Sequence, residues 1–260
     1  TALLVSVCGI LGLLLGSFIN VVSLRLPAMM AHDWRAEARE ILELPAVAEP
    51  RQSLLRPPSS CTACGTRIRP WHNVPVFGWL WLRGKAACCG APISVQYPVV
   101  ELASGVLSAV CAWQLGMGTP LLVALFLTWT LLTLAVIDAR TTLLPDSITL
   151  PLVWMGLAAA LFGYTVSLTD AVIGAMAGYL SLWSIFWAFK LVTGKDGMGY
   201  GDFKLFAALG AWMGWQQLPL IILLSSLVGA AVGIGLMFAK RAGRDLQLPF
   251  GPYLAAAGWI

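Results

Sequence analysis

Gly194-Lys195-Asp196-Gly197-Met198-Gly199-Tyr200-Gly201-Asp202-Phe203-Lys204 sets four glycines, two aspartates and two lysines between uncharged apolar runs at 171–189 and 205–239. A run of about 20 apolar residues is what a helix needs to cross the hydrocarbon core of a bilayer. The stretch therefore reads as a hinge at a membrane boundary. Asp202, at the opening of the second run, is the ionisable group to follow, because charge at membrane depth is costly and marks function.

The rest of the chain supports that reading. Of 260 residues, 59% are apolar and 11% charged, against about 25% charged in soluble domains. This composition excludes an ordinary soluble domain and predicts an all-α polytopic membrane protein. Spans are expected near 2–22, 98–115, 120–138, 147–163, 170–191, 203–216, 218–239 and from 249 onward, about eight transmembrane helices. The 203–216 run is short and holds Gly210 and Gly214, so a tilted or recessed helix is expected there. The last run is expected to be an incomplete span. No basic segment precedes the first run and no small-residue cleavage site follows it, so it is read as a helix and not a removed signal peptide. Gly9/Gly12/Gly16, Gly174/Gly178 and Gly229/Gly233 predict close helix contacts.

Three regions follow: a first transmembrane helix at 1–24, a small cytoplasmic domain at 25–96, and a transmembrane core at 97–260. The middle region holds nine of the sixteen Lys and Arg residues and a cluster of four cysteines. Within it, His32–Glu43 has helical spacing and predicts a short amphipathic helix. The Pro-rich stretch 45–58 reads as a loop, and Cys61–Gly90 as a turn-rich module. Numbering the faces alternately puts every Lys and Arg on, or at a helix end beside, one side, and none in the loops near 115–119, 164–169 and 215–219. By the positive-inside rule that side is the cytoplasm and the N-terminus lies outside. No nucleic-acid motif is present, and the partner expected from composition is the lipid bilayer.

Asp138, ending the third span, and Asp202, opening the sixth, fall on the same cytoplasmic edge although 64 positions apart. Two carboxyls in one partly dry site share a proton, so one activates water while the other acts as acid on a carbonyl. Plainer readings stand beside this. Asp202 is a candidate helix cap, and Asp138 a partner for Arg140. Asp146 reads as the N-cap of the fourth span, and Asp196 as solvated or loop-positioning. Tyr200 reads as packing and Lys204 as a headgroup contact. Gly199 and Gly201 permit close backbone approach, as a loop (Gly199, Tyr200, Gly201) holding an extended peptide needs.

Cys61-Thr-Ala-Cys64 and Cys88-Cys89 resemble a zinc ribbon, whose paired cysteines give tetrahedral thiolate ligation. A cytoplasmic location argues against a disulfide. Structural zinc on Cys61, Cys64, Cys88 and Cys89 is expected, with His72 as a substitute for Cys88. Adjacent cysteines are expected to reach one ion only through backbone distortion.

Taken in order, Gly16-Ser-Phe-Ile-Asn-Val-Val-Ser-Leu-Arg-Leu-Pro27, Cys61–Cys64, Pro70-Trp-His-Asn-Val-Pro75, Gly90-Ala-Pro-Ile-Ser94, Tyr97-Pro-Val-Val-Glu101, Asp138–Pro151, Gly199–Asp202 and Pro249-Phe-Gly-Pro-Tyr253 resemble the bacterial type IV prepilin peptidases over the whole chain. The resemblance implies aspartic cleavage of leaders from prepilins or type II secretion pseudopilins at the cytoplasmic face of the inner membrane, with Asp138 and Asp202 as the catalytic pair. It also implies N-methylation of the new N-terminal residue, with S-adenosylmethionine as donor. Two positions depart from the family pattern. Ala86 stands where the second Cys-x-x-Cys has its first cysteine, and His72 replaces a commonly acidic residue. The same residues also admit a presenilin-like or preflagellin-type Gly-x-Gly-Asp protease without methyl transfer, a transporter, and a non-enzymatic membrane scaffold.

Overall fold

The computed structural model describes residues 1–45, 53–56, 58–238 and 248–260. Part of the expected 45–58 loop, and all of the polar loop at 240–245, lie outside them. The described residues are helical, with isolated bridges and no strand. In order they form α1 (Ala2–Ile41), α2 (Phe77–Trp81), α3 (Gln96–Leu115), α4 (Thr119–Thr141), α5 (Asp146–Leu161), α6 (Leu168–Thr193), α7 (Tyr200–Met213), α8 (Leu218–Phe238) and α9 (Gly251–Trp259). Short 3₁₀ turns lie at Pro70–Asn73 and Trp215–Gln217. Among the described residues, five segments are long and apolar enough to cross a membrane: α1, α3, α4, α6 and Trp215–Leu236. α5 with 16 residues, α7 with 14 and α9 with 9 are shorter.

The chain forms two compact units, Thr1–Met117 and Gly118–Ile260. In the first, α1 does not stop where the charges begin. It runs through Pro27 to Ile41, so the expected separate helix at His32–Glu43 is its continuation. Ala, Met, Arg and Glu dominate residues 28–41 and are strong helix formers, so the change from apolar to charged composition does not end the helix. α1 and α3 pack backbone to backbone. A Cβ on Gly12 would stand 2.5 Å from the Ser104 carbonyl and from Ser108 Oγ, and one on Gly16 2.6 Å from Glu101 Cα. Ser104 Oγ fills the seam by donating to the Gly12 carbonyl at 2.6 Å.

The second unit is built around α7. From Asp202 through Trp212 only Lys204 escapes burial. Fourteen residues rise about 21 Å, less than the roughly 30 Å hydrocarbon core, in keeping with the short helix expected there. Lipid gives apolar helices little hydrophobic reason to associate, so close packing must hold them. Small residues supply it. Gly174 of α6 and Gly210 of α7 each lie against the other's carbonyl, and a Cβ on Gly178 would stand 2.6 Å from the Phe206 carbonyl. Gly156 of α5 lies under the Trp212 indole, whose Nε1 donates to the Leu152 carbonyl at 2.9 Å. Gly258 of α9 lies against Leu209, and Gly229 of α8 against Tyr253.

Candidate active site and metal centre

Asp138 lies one turn before the end of α4, which closes on Thr142 in the left-handed region (φ 52°). Its side chain is buried, and Oδ2 accepts a hydrogen bond at 2.9 Å from the backbone N–H of Gly251. Gly251 is the first residue of α9, where backbone N–H groups have no partner inside the helix and the helix dipole favours negative charge. A Cβ on Gly251 would stand 2.7 Å from that carboxylate oxygen, so this close approach requires glycine. The alternative reading of Asp138 as an Arg140 partner does not account for its Oδ2, which is held by this amide.

Asp202 is the third residue of α7, with Gly199 at the N-cap position. Its Oδ2 accepts from the Gly199 N–H at 3.2 Å, so it does cap its helix, from inside the first turn. Oδ1 is buried and has no hydrogen-bond partner. Capping therefore uses one oxygen and leaves the other unused, which in a native interior calls for an explanation. Asp138 and Asp202 are near enough for their carboxyls to interact electrostatically. What draws the two together is the start of α7, pressed onto the segment after α4. A Cβ on Gly201 would stand 2.6 Å from the Cβ of Leu144.

The neighbouring charges hold the hinge. Lys204 Nζ meets both Asp146 oxygens at 2.6 and 2.7 Å, so Lys204 pairs within the protein rather than with a headgroup. Asp146 is not the N-cap of α5; Pro145 occupies that position, and Asp146, the first helical residue, turns its carboxylate to Lys204. Asp196 pairs with Lys190 at 2.8 Å and so positions the loop. Tyr200 packs on Phe186 and Phe203, with ring centroids 5.2 and 5.5 Å away.

In the first unit the cysteines form two similar knuckles. The Cys61 N–H donates to the Thr66 carbonyl and the Gly65 N–H to the Cys61 carbonyl; Ala86 with Ala91, and Gly90 with Ala86, repeat the pattern. A bridge closes each knuckle, Ser60 with Arg67 and Lys85 with Pro92. Ala86 therefore stands where a ligand would stand by analogy with Cys61, and Cys88 brings its sulfur in instead. The four Sγ atoms lie within 4.8 Å of one another. Cys61 to Cys89 is 3.7 Å, Cys64 to Cys88 3.2 Å and Cys88 to Cys89 3.8 Å. Zinc–sulfur bonds of about 2.3 Å in a tetrahedron separate the sulfurs by about 3.8 Å, so the set fits zinc. The expected backbone distortion at 88–89 is absent: the only left-handed residue of that turn is Gly90 (φ 70°). His72 is outside the cluster. Backbone amides of Cys64 and Ala63 hold the Cys61 thiol below its usual range, and the Thr66 hydroxyl brings Cys64 down to about 6. Hydrogen bonding to Cys64 pushes Cys88 up. Thiolate is the ligating form, and Cys61 and Cys64 are shifted toward it while Cys88 and Cys89 are shifted away.

Sequence reasoning missed the Gly251 amide, 113 residues from its carboxylate partner. It also missed Glu101, a buried carboxylate that accepts from the Val76 N–H at 2.7 Å. Helix-opening Gly-Pro at 251–252 was the available signal for the first, and an acid inside an apolar span the signal for the second.

Fold and site together define a multi-pass helical membrane protein that gathers two acidic side chains from separate helix ends. Residues 10–115 match the bacterial peptidase A24 N-terminal domain, and residues 125–234 the type IV leader peptidase family. The chain belongs to this family and is an enzyme of the peptidase and methyltransferase type. It is 54% identical to the prepilin leader peptidase/N-methyltransferase of Pseudomonas putida, over 100% of this chain and 90% of that protein. The proteins of the same name from Stutzerimonas stutzeri and Pseudomonas aeruginosa are 55% and 56% identical, each over 96% of this chain and 87% of the relative. No solved structure matches the chain.

Proposed function

We propose that the chain cleaves the leader from type IV prepilins or type II secretion pseudopilins and N-methylates the residue so exposed. In this reading it crosses the bacterial inner membrane eight times, its N-terminus is periplasmic, residues 25–96 form a cytoplasmic domain, and residues 97–260 form the protease core. Both aspartates then face the cytoplasm. The observation that carries the peptidase half is the buried, unpartnered Oδ1 of Asp202, on the helix start that Gly201 presses onto the segment after Asp138.

With one proton between the two carboxyls, the ionised one takes a proton from water as it attacks the scissile carbonyl. The protonated one donates to the carbonyl oxygen and then, with proton return, the amine leaves. The Gly251 and Gly199 amides hold one oxygen of each carboxyl, leaving the other for this work. Gly199–Gly201, expected as a loop, is the N-cap and first two residues of α7, and the substrate strand is held at this helix start. An apolar groove of about 560 Å³, lined by Leu150, Val153, Met176, Tyr179 and Leu180 and reaching Lys204, offers the substrate's apolar stem a lateral berth. The methyl donor implied is S-adenosylmethionine; no glycine-rich dinucleotide motif accompanies it, and no step of the cleavage passes through it. Cys61, Cys64, Cys88 and Cys89 would hold zinc, which supplies a structural cross-link between the two knuckles.

Asp138→Asn and Asp202→Asn test the dyad, with purified protein, a prepilin substrate and separate readouts of cleavage and methyl transfer to a pre-cleaved pilin. Each is expected to lower cleavage by at least about 10²–10⁴-fold while the protein stays folded and methyl transfer persists. Robust cleavage by either variant removes the dyad from the mechanism.

A further inference from the structure

The short helix α2 turns an aromatic face outward. Phe77 is 67% exposed, Leu80 57% and Trp81 84%, and Trp71 nearby is 62% exposed under the Arg69 guanidinium, 5.6 Å from its ring centroid. Large apolar side chains clustered this way mark an interaction site. Two features on the same unit say what covers it.

The first is depth. Val76, the residue before α2, donates its N–H to Glu101 at 2.7 Å, and Trp79 Nε1 donates to the Ile93 carbonyl at 3.1 Å. Glu101 lies five residues into α3, a candidate membrane span beginning at Gln96. Five residues of helix rise about 7 Å, so α2 is tied to α3 below the level at which that span begins. Val76 takes φ 60° to make the bond, an unusual conformation for a β-branched residue. The second feature is charge. Between Glu49 and Glu101 the sequence has six basic residues and no acidic one. Acids and bases alternate only in the preceding segment, 33–49. Even four thiolates around a divalent ion leave this stretch positive. Aromatic side chains at headgroup level with basic neighbours are what an anionic bilayer surface attracts.

We infer that α2 and the Trp71 turn lie in the headgroup layer of an anionic bilayer, so that the cysteine module rests on the membrane instead of standing free in water. The inference depends on α3 being a membrane span. The test uses the full chain labelled with 5-fluorotryptophan in nanodiscs containing phosphatidylglycerol, with Trp81→Phe and Trp113→Phe identifying two ¹⁹F resonances. A lipid spin-labelled near the carbonyl region is expected to broaden the Trp81 signal away, and a water-soluble nickel chelate to spare it. Loss to nickel but not to lipid, or protection from both, overturns the inference. Trp113, exposed on α3 itself, separates the two readings: if lipid label fails to reach it as well, the span assignment has failed, and if it reaches Trp113 alone, only the docking has. Lipid broadening of Trp81 should weaken in phosphatidylcholine discs and in Arg83→Gln/Lys85→Gln; undiminished broadening in both refutes the part played by charge.

Discussion

The glycines of Gly199-Tyr200-Gly201 look alike in the sequence, but the structure assigns them different tasks, and alanine substitution separates them. A Cβ on Gly201 would lie 2.6 Å from Leu144 Cβ and 3.3 Å from the Leu144 carbonyl. Ordinary carbon contacts begin near 3.4 Å, so the start of α7 or the segment behind α4 must give by about 0.8 Å. Neither can do so alone, because Asp202 is one residue on and Leu144 six residues after Asp138. A displacement of about 1 Å at a reacting pair costs on the order of 10²-fold in rate. Overpacking adds about 1–3 kcal/mol of instability. A Cβ on Gly199 instead meets nothing closer than 3.6 Å, and φ there is −80°, which alanine adopts freely. Its N–H to Asp202 is a backbone bond that alanine keeps. Gly201→Ala should therefore lose about 100-fold in cleavage, whereas Gly199→Ala should lose less than about fivefold, under 1 kcal/mol of barrier. Initial rates on a prepilin peptide, with thermal unfolding in detergent as the check on folding, give both numbers. Equal losses in the two variants, or an active Gly201→Ala, would refute the account of how α7 meets α4.

Cys88→Ser should lower the zinc content of purified protein well below about one ion per chain, and Ala86→Cys/Cys88→Ala should restore it by returning the ligand to the register of Cys61; metal analysis by mass spectrometry decides. Asp146→Asn removes an ion pair whose partners are 56% and 24% exposed, so its loss should cost no more than about 1 kcal/mol in unfolding and leave cleavage nearly intact. Glu101→Leu strips the Val76 N–H of its acceptor, at about 1–3 kcal/mol. Amide exchange over 74–80 should speed up there and stay slow in Glu101→Gln, which can still accept.

Hydropathy located the helices well because each buried run is bounded by charge or by glycine and proline, and α3 through α8 begin and end close to where those residues stand. It failed at α1, where the helix continues as an amphipathic one and only the composition changes. Asp138 and Asp202 were legible as candidates because a carboxylate at the end of an apolar run is expensive wherever it points. Their holders were not. A backbone amide leaves no side-chain signature, and Gly251 is as compatible with helix packing as with a carboxylate contact. Cys88 was ambiguous for another reason: adjacency argued against joint ligation until the turn could be seen to place its one left-handed residue on Gly90.

The two carboxylates are held by the same device. Each gives its Oδ2 to an N–H at the start of a helix, Gly251 for Asp138 and Gly199 for Asp202. Amides at helix starts have no other partner in the chain and carry a partial positive charge. They can steady a buried carboxylate without a lysine or arginine, whose full charge would favour ionisation of both acids at once. A dyad that works by sharing one proton needs the weaker support. The glycines follow from this, since at Gly251 a side chain would occupy the carboxylate's place. Two of the nearby lysines are consistent with it as well, because they are taken up elsewhere: Lys204 by Asp146, and Lys190 by Asp196. Charge at the hinge is thus spent on holding the loop and the helix start in position, and the pair of acids is left to neutral donors.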